Sequence, residues 1–141
     1  MIPHILIVDS DQNAARVTAA IVTRVVPDAT MTVVPTADQG RQCVPAQPPN
    51  ILLIDMSSNQ LDDERLIRTV KAFNPDALVI ALTALAPRTA ARRFPTSQID
   101  GYVEKGGDPI ALKEALSEAL RQRALLPVQP TVVPLTPNKK P

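Results

Sequence analysis

Aromatic residues are scarce in this chain. It has no tryptophan, one tyrosine and two phenylalanines, together 2% of the sequence. Its core must therefore be aliphatic, built from Ile, Leu, Val and Ala. There is one cysteine, Cys43. A lone thiol excludes an intrachain disulfide and fits a reducing compartment. Its type and setting suit a small core residue better than a reactive thiol. Neither sign of charge is in excess. A net charge of +1 implies no nucleic-acid or anionic-membrane partner. No apolar run approaches the roughly 18 residues of a spanning helix, and no charged region precedes an apolar stretch at the N-terminus. These absences lead us to expect a soluble cytoplasmic protein with no membrane association.

What is present suits one domain. The length is 141 residues and 45% of them are hydrophobic, enough for a sizeable core. Two short continuous apolar runs stand out, Ile5-Leu6-Ile7-Val8 and Ile51-Leu52-Leu53-Ile54. Each stops at a carboxylate, Asp9 and Asp55. Such runs read as strands buried on both faces of a parallel sheet. Asp11 is a good helix N-cap, and Ala14, Val17, Ile21 and Val25 recur after it at helical spacing, up to Pro27. Thr30 to Val34 reads as a second strand. Thr36 to Gln47 is weakly helical, with Ala37, Cys43 and Val44 facing inward, and Pro45 should end it early. Pro48-Pro49-Asn50 leads into the central strand.

After the polar loop Ser57 to Gln60, a third helix is predicted from about Asp62, with Leu66, Ile67 and Val70 inside. Ala77 to Leu82 is a fourth apolar run ending at Thr83. Pro87 to Phe94 reads as a short basic helix. Its Arg88, Arg92 and Arg93 form a solvated face or a partner surface. Ile99 to Val103 reads as a fifth strand, running out into Glu104 and Lys105. Asp108-Pro109 opens a last helix, with Asp108 as N-cap and Pro109 at its first position. Ile110, Leu112, Leu116 and Leu120 supply its apolar side. His4, alone near the terminus, reads as a surface residue without a role. Residues 1–124 thus form one domain and 125–141 a Pro-rich extended tail or linker, with five prolines in the last fifteen residues. Its composition also suits a polyproline ligand. Five strands alternating with five helices predict a doubly wound α/β domain with a parallel sheet.

In such a sheet, chemistry sits beyond the carboxyl ends of the strands. Asp9, Asp55, Thr83 and Lys105 then share one rim. Two carboxylates about 4 Å apart repel by roughly 4 kcal/mol at an effective dielectric near 20. A divalent cation removes that repulsion and leaves a point where a phosphate can dock. Mg²⁺ takes few carboxylates together with waters and phosphate oxygens. An ammonium pairs with phosphoryl oxygens and a hydroxyl donates to one. A carboxylate can itself be the covalent acceptor.

At these residues the sequence resembles the receiver domain of two-component response regulators, of the chemotaxis-regulator type. The matching pieces are Ile5 to Asp9, Leu52 to Asp55, Ala81 to Ala84 and Gly101 to Lys105, in order and spacing over residues 4 to about 124. The resemblance implies a flavodoxin-like (βα)5 fold with strand order 2-1-3-4-5. It implies that Asp55 takes a phosphoryl group from a histidine kinase, a phosphotransfer protein or a small phosphodonor. Mg²⁺ would be held by Asp9, Asp55 and the backbone carbonyl of Ser57, with Asp11 as a further candidate. Lys105 would pair with Asp55 at rest and with the phosphoryl group afterwards. Thr83 and Tyr102 would be switch residues. The surface of helix four, strand five and helix five would be the readout, binding a downstream partner or output domain, or a second copy. The activity implied is that of a signalling switch with weak self-phosphorylating and self-dephosphorylating chemistry.

Three departures from the family pattern stand out. Ser10 occupies the place of a second acid that is commonly a metal ligand, so the Mg²⁺ site carries one charged ligand fewer. Ser58, Asn59 and Asp63 stand where the family has Met-Pro and a later glycine. Gly106 follows Lys105 where proline is usual. They motivate a second reading, a receiver-like interaction module that binds partners without phosphorylation. A third reading takes Asp9-Ser10-Asp11 as the Asp-x-Asp of haloacid-dehalogenase-type phosphatases, with Asp9 as nucleophile and Asp11 as acid/base, and rests on fold-level analogy alone.

Overall fold

A computed structural model describes residues 2–56, 60–93 and 98–122. The Pro-rich tail and Ser57 lie outside them. Five strands and five helices alternate: β1 (His4–Val8), α1 (Gln12–Val25), β2 (Thr30–Val34), α2 (Ala37–Cys43), β3 (Ile51–Asp55), α3 (Gln60–Phe73), β4 (Leu78–Thr83), α4 (Pro87–Arg93), β5 (Gly101–Glu104) and α5 (Pro109–Gln122). All strand pairs are parallel and the sheet order is β2-β1-β3-β4-β5.

The two-residue period of a strand divides the core. Ile5, Ile7, Ile51, Leu53, Leu78, Ile80 and Leu82 face α1 and α5, where they meet Val22, Leu112, Leu116 and Leu120. Leu6, Val8, Leu52, Ile54, Val79 and Ala81 face the other way, where they meet Ala37, Val44, Leu66, Ile67 and Val70 of the α2–α3 side. β1, β3 and β4 are buried along their whole length, which is why their sequences show no polar alternation.

Caps and breaks follow local chemistry. The Asp11 carboxylate accepts from the Asn13 and Ala14 N–H groups, capping α1. Asp108 accepts from the Ile110 N–H at the start of α5. α2 ends at Cys43, two residues before Pro45. Gly40 sits where α2 presses on the sheet: a Cβ there would stand 3.2 Å from Val8 Cγ2 and 3.3 Å from Leu66 Cδ2. At the amino edge of the sheet, Asp100 accepts from the Val79 N–H at 2.8 Å and from Lys71 Nζ at 3.0 Å. Lys71 also donates to the Ala77 carbonyl, so α3, β4 and the approach to β5 are tied together.

Some expected positions differ. On α1 the buried residues are Ala15, Thr18 and Val22, one step round from the expected stripe, and Val17 is 58% exposed. Ile21 and Val25 of the expected stripe are partly buried against the same core, so the two stripes overlap, and packing on the sheet and α5 sets which residues are covered fully. Ile110 is likewise exposed, at the first turn of α5. Cys43 is half-buried. His4 is a buried residue of β1, not a surface one. Its register partner on β2 is Thr30. The ring nitrogens lie 2.8 Å from Thr30 Oγ1 and 3.1 Å from Thr32 Oγ1, so neither nitrogen is left without a partner.

Candidate functional site

Three adjacent strands carry the site. β1 ends before Asp9, β3 ends in Asp55 and β4 ends in Thr83. Their order, β1-β3-β4, puts all three ends side by side on the carboxyl rim. Lys105 follows β5 and is drawn in by its own backbone, whose N–H donates to the Thr83 carbonyl at 2.6 Å.

The Lys105 ammonium crosses the rim to both acids. It donates to Asp9 Oδ1 and to Asp55 Oδ2, each at 3.0 Å. The Asp9 and Asp55 side chains are 0% and 5% exposed, and that of Lys105 is 25% exposed. Burial works against the charge on Lys105. Hydrogen bonds to Asp9 and Asp55 and their attraction outweigh it, and the ammonium pKa is raised above its usual value. Asp9 Oδ1 also accepts from the Asp11 N–H at 2.9 Å. Asp9 Oδ2 lies 2.9 Å from the ammonium but receives no aligned hydrogen bond. A buried carboxylate oxygen with spare acceptor capacity calls for another cation or donor.

That oxygen is the observation that bears on a metal. Asp9 and Asp55 supply two anionic donors of the hard type Mg²⁺ prefers, and the donor set fits a cation that keeps most of its waters. No three His, Cys, Asp or Glu side chains among the described residues converge on one metal position. The Asp11 carboxylate is directed to the α1 N–H groups. Ser10 is exposed beside it.

Thr83 is buried, and its hydroxyl oxygen accepts from the Leu85 N–H. Tyr102 is half-buried against the α2–α3 side of the core, and burial pushes its phenol up. Gly106 has φ +81°, a left-handed conformation open to glycine. Proline, held near −65°, cannot adopt it, so the segment after Lys105 takes its own path.

One acid, noted in the sequence only as a departure from the family pattern, turns out to be buried. Asp63, in the first turn of α3, is only 3% exposed. Burial, then the charges of Asp55, Asp62 and Glu64, push its carboxyl up to about 7. The signal was present: Asp63 lies three, four and seven residues before Leu66, Ile67 and Val70, on the inward face of α3.

A five-stranded doubly wound domain with an acid–ammonium cluster across its carboxyl rim is the receiver class of α/β protein. A sequence model described as the response regulator receiver domain matches residues 5–117. The chain belongs to that family. No curated protein matches it significantly. Solved structures resemble it in fold. A receiver domain protein described as CheY-like from Methanospirillum hungatei has 22% identity and a TM-score of 0.73, over 89% of this chain and 98% of that one. A two component transcriptional regulator from Clostridium phytofermentans has 22% identity and a TM-score of 0.72, over 87% and 96%. The signal receiver domain of a DNA binding response regulator from Colwellia psychrerythraea has 16% identity and a TM-score of 0.70, over 84% and 98%. No helix among the described residues is long and apolar enough to cross a membrane.

Proposed function

We propose that this receiver domain is a phosphoacceptor switch charged on Asp55. The observation that carries the reading is the single ammonium of Lys105 held 3.0 Å from both Asp55 Oδ2 and Asp9 Oδ1. In the reaction, an Asp55 carboxylate oxygen forms a bond to the phosphorus of a phosphohistidine on a kinase or phosphotransfer protein. The P–N bond breaks, its electron pair stays on the imidazole nitrogen, and that nitrogen takes up a proton. The product is an aspartyl phosphate, which water later hydrolyses.

The chain's own groups have distinct tasks. Lys105 neutralises charge on the transferring phosphoryl oxygens, and positioning with neutralisation is most of what such a transfer needs. Thr83 offers a hydroxyl on the neighbouring strand. Asp9 and Asp55 would hold Mg²⁺, with the backbone carbonyl of Ser57. Held there, the ion would supply positive charge that offsets the charge of the phosphoryl group, while the two carboxylates and Lys105 fix where that group is received. Once Asp55 is phosphorylated, Lys105 and Thr83 pair with the new oxygens and Tyr102 turns inward. The surface of α4, β5 and α5 shifts population as the readout for a partner, an output domain or a second copy.

The test is intact mass after incubation with a small phosphodonor and Mg²⁺, since the chain has no tryptophan to report fluorescence. One phosphoryl group should add to the wild type and none to Asp55→Asn. No adduct on the wild type at high Mg²⁺ overturns the reading. A second reading, constitutive partner binding without phosphorylation, draws on Ser10 and on the left-handed backbone at Gly106. It predicts partner binding that Asp55→Asn leaves unchanged.

A further inference from the structure

A shallow, open groove of about 350 Å³ lies on the α2–α3 face, lined by Arg41, Arg65, Arg68, Thr69 and Ala72. Three of those five side chains are guanidiniums and none is acidic. Asp38 and Asp62 on the same helices each offset one of these charges, which leaves Arg68 as the local excess. The fold creates it. Gly40 lets α2 approach α3 until a Cβ would press on Leu66, and the next residue, Arg41, then faces Arg65 and Arg68 across the gap.

Two of the arginines are only loosely engaged. Arg41 pairs with Asp38 at 2.7 Å and Arg65 with Asp62 at 3.8 Å, both on the same helix and with side chains 39–52% exposed. Such exposed pairs contribute about 0–1 kcal/mol and exchange readily for better partners. Arg68 is exposed and makes no ion pair among the described residues.

A second feature is an exposed aromatic residue that follows Ala72 at the end of α3. Phe73 is 51% exposed. It stands four residues after Thr69 and eight after Arg65, on the same ridge of α3. It is the exposed aromatic among the large apolar side chains on the surface of the described residues. Arginine and aromatic side chains together are the composition of interface hot spots.

We infer that the α2–α3 groove docks a partner protein through an acidic segment that also carries an apolar side chain. Carboxylates pair with the Arg41, Arg65 and Arg68 forks, and the apolar side chain covers Phe73. The surface is separate from the phosphoacceptor rim and from the α4–β5–α5 face. Nucleic acid is the poorer fit. A backbone-binding surface needs a long basic stripe with stacking aromatics, and here the charge is confined to one short groove.

The probe is a synthetic twelve-residue peptide of glutamate pairs separated by leucines, titrated into the whole chain and followed by backbone amide NMR. Saturable shifts at Thr69 and Ala72 are expected. Affinity should fall at least tenfold in the Arg65→Gln/Arg68→Gln double variant, and should fall on Phe73→Ser or on removing the leucines. It should fall with salt and be unchanged in Arg88→Gln/Arg92→Gln, on α4. Unperturbed amides elsewhere in each variant establish that it folds. Absence of saturable binding overturns the inference, as does binding indifferent to the double variant. Tighter binding of a DNA duplex at the same amides would replace the protein partner with nucleic acid. None of these outcomes depends on phosphorylation of Asp55.

Discussion

At Asp63, burial and three neighbouring carboxylates act in one direction, holding the carboxyl near 7 against an ordinary value of 3.8. The native state keeps a proton between those values that the unfolded chain has released. The stability that proton contributes is full below pH 3.8 and is lost as pH rises through 7. Replacing Asp63 by Asn removes the dependence. The advantage of Asp63→Asn over wild type in urea unfolding should grow by roughly 2–4 kcal/mol from about pH 4 to about pH 8. His4 works with the opposite sign. Burial lowers its pKa below the usual 6.5, despite a hydrogen bond involving Thr30 that raises it. Its contribution is full above pH 6.5 and is lost as pH falls through the native value. Between about pH 7.5 and pH 5.5, His4→Gln should lose less stability than wild type in the same titration. Both residues had sequence signatures that point only halfway. The helical spacing of Asp63 marks it as inward, but its charge environment depends on Asp55 from another element. The burial of His4 depends on pairing with a strand whose Thr30 and Thr32 are far off in sequence.

Helices owe their ends to single residues and their positions to neighbours. Asp11 holds the first turn of α1 through two N–H groups, so Asp11→Ala should lower stability by about 1 kcal/mol in thermal or urea unfolding. Gly40 is different. An alanine would gain about 1 kcal/mol of helix propensity, but its methyl would press at 3.2 Å on Val8 Cγ2 of a central strand with no room to retreat. Overpacking of that kind costs about 1–3 kcal/mol. Gly40→Ala should therefore destabilise by about 1 kcal/mol net, and α2 amides should exchange faster. The cap was legible because capping is local chemistry. The glycine was not, because its neighbours Val8 and Leu66 come from β1 and α3. The same limit explains α1: two overlapping helical stripes lay in its sequence, and packing on the sheet and α5 covered Ala15, Thr18 and Val22 fully and Ile21 and Val25 in part.

For the whole molecule, the ion cluster at the rim is a junction between β1, β3 and the end of β5. Lys105→Met would leave two buried carboxylates without their shared cation, and breaking such a pair costs about 3–5 kcal/mol. A divalent cation should restore part of that loss. Titrating Mg²⁺ is expected to raise the Tm of the wild type and to raise that of Lys105→Met further, with no response in Asp9→Asn/Asp55→Asn. A flat response in every variant would mean the rim does not hold a metal.

The alternation of apolar runs with helical periods determined by itself the five strands, the five helices and a parallel doubly wound sheet. The period of burial is a property of each segment. The carboxylates closing β1 and β3, the threonine closing β4 and the lysine past β5 were visible for the same reason, since a polar residue ending a buried run is a local mark. Only the tertiary structure decided that one ammonium lies between two of those acids, that Asp63 carries a proton near neutrality, that His4 is inside and that three arginines share a groove. Each is a relation between side chains on separate elements, and Coulomb attraction, desolvation and close packing depend on distances that chain spacing does not contain.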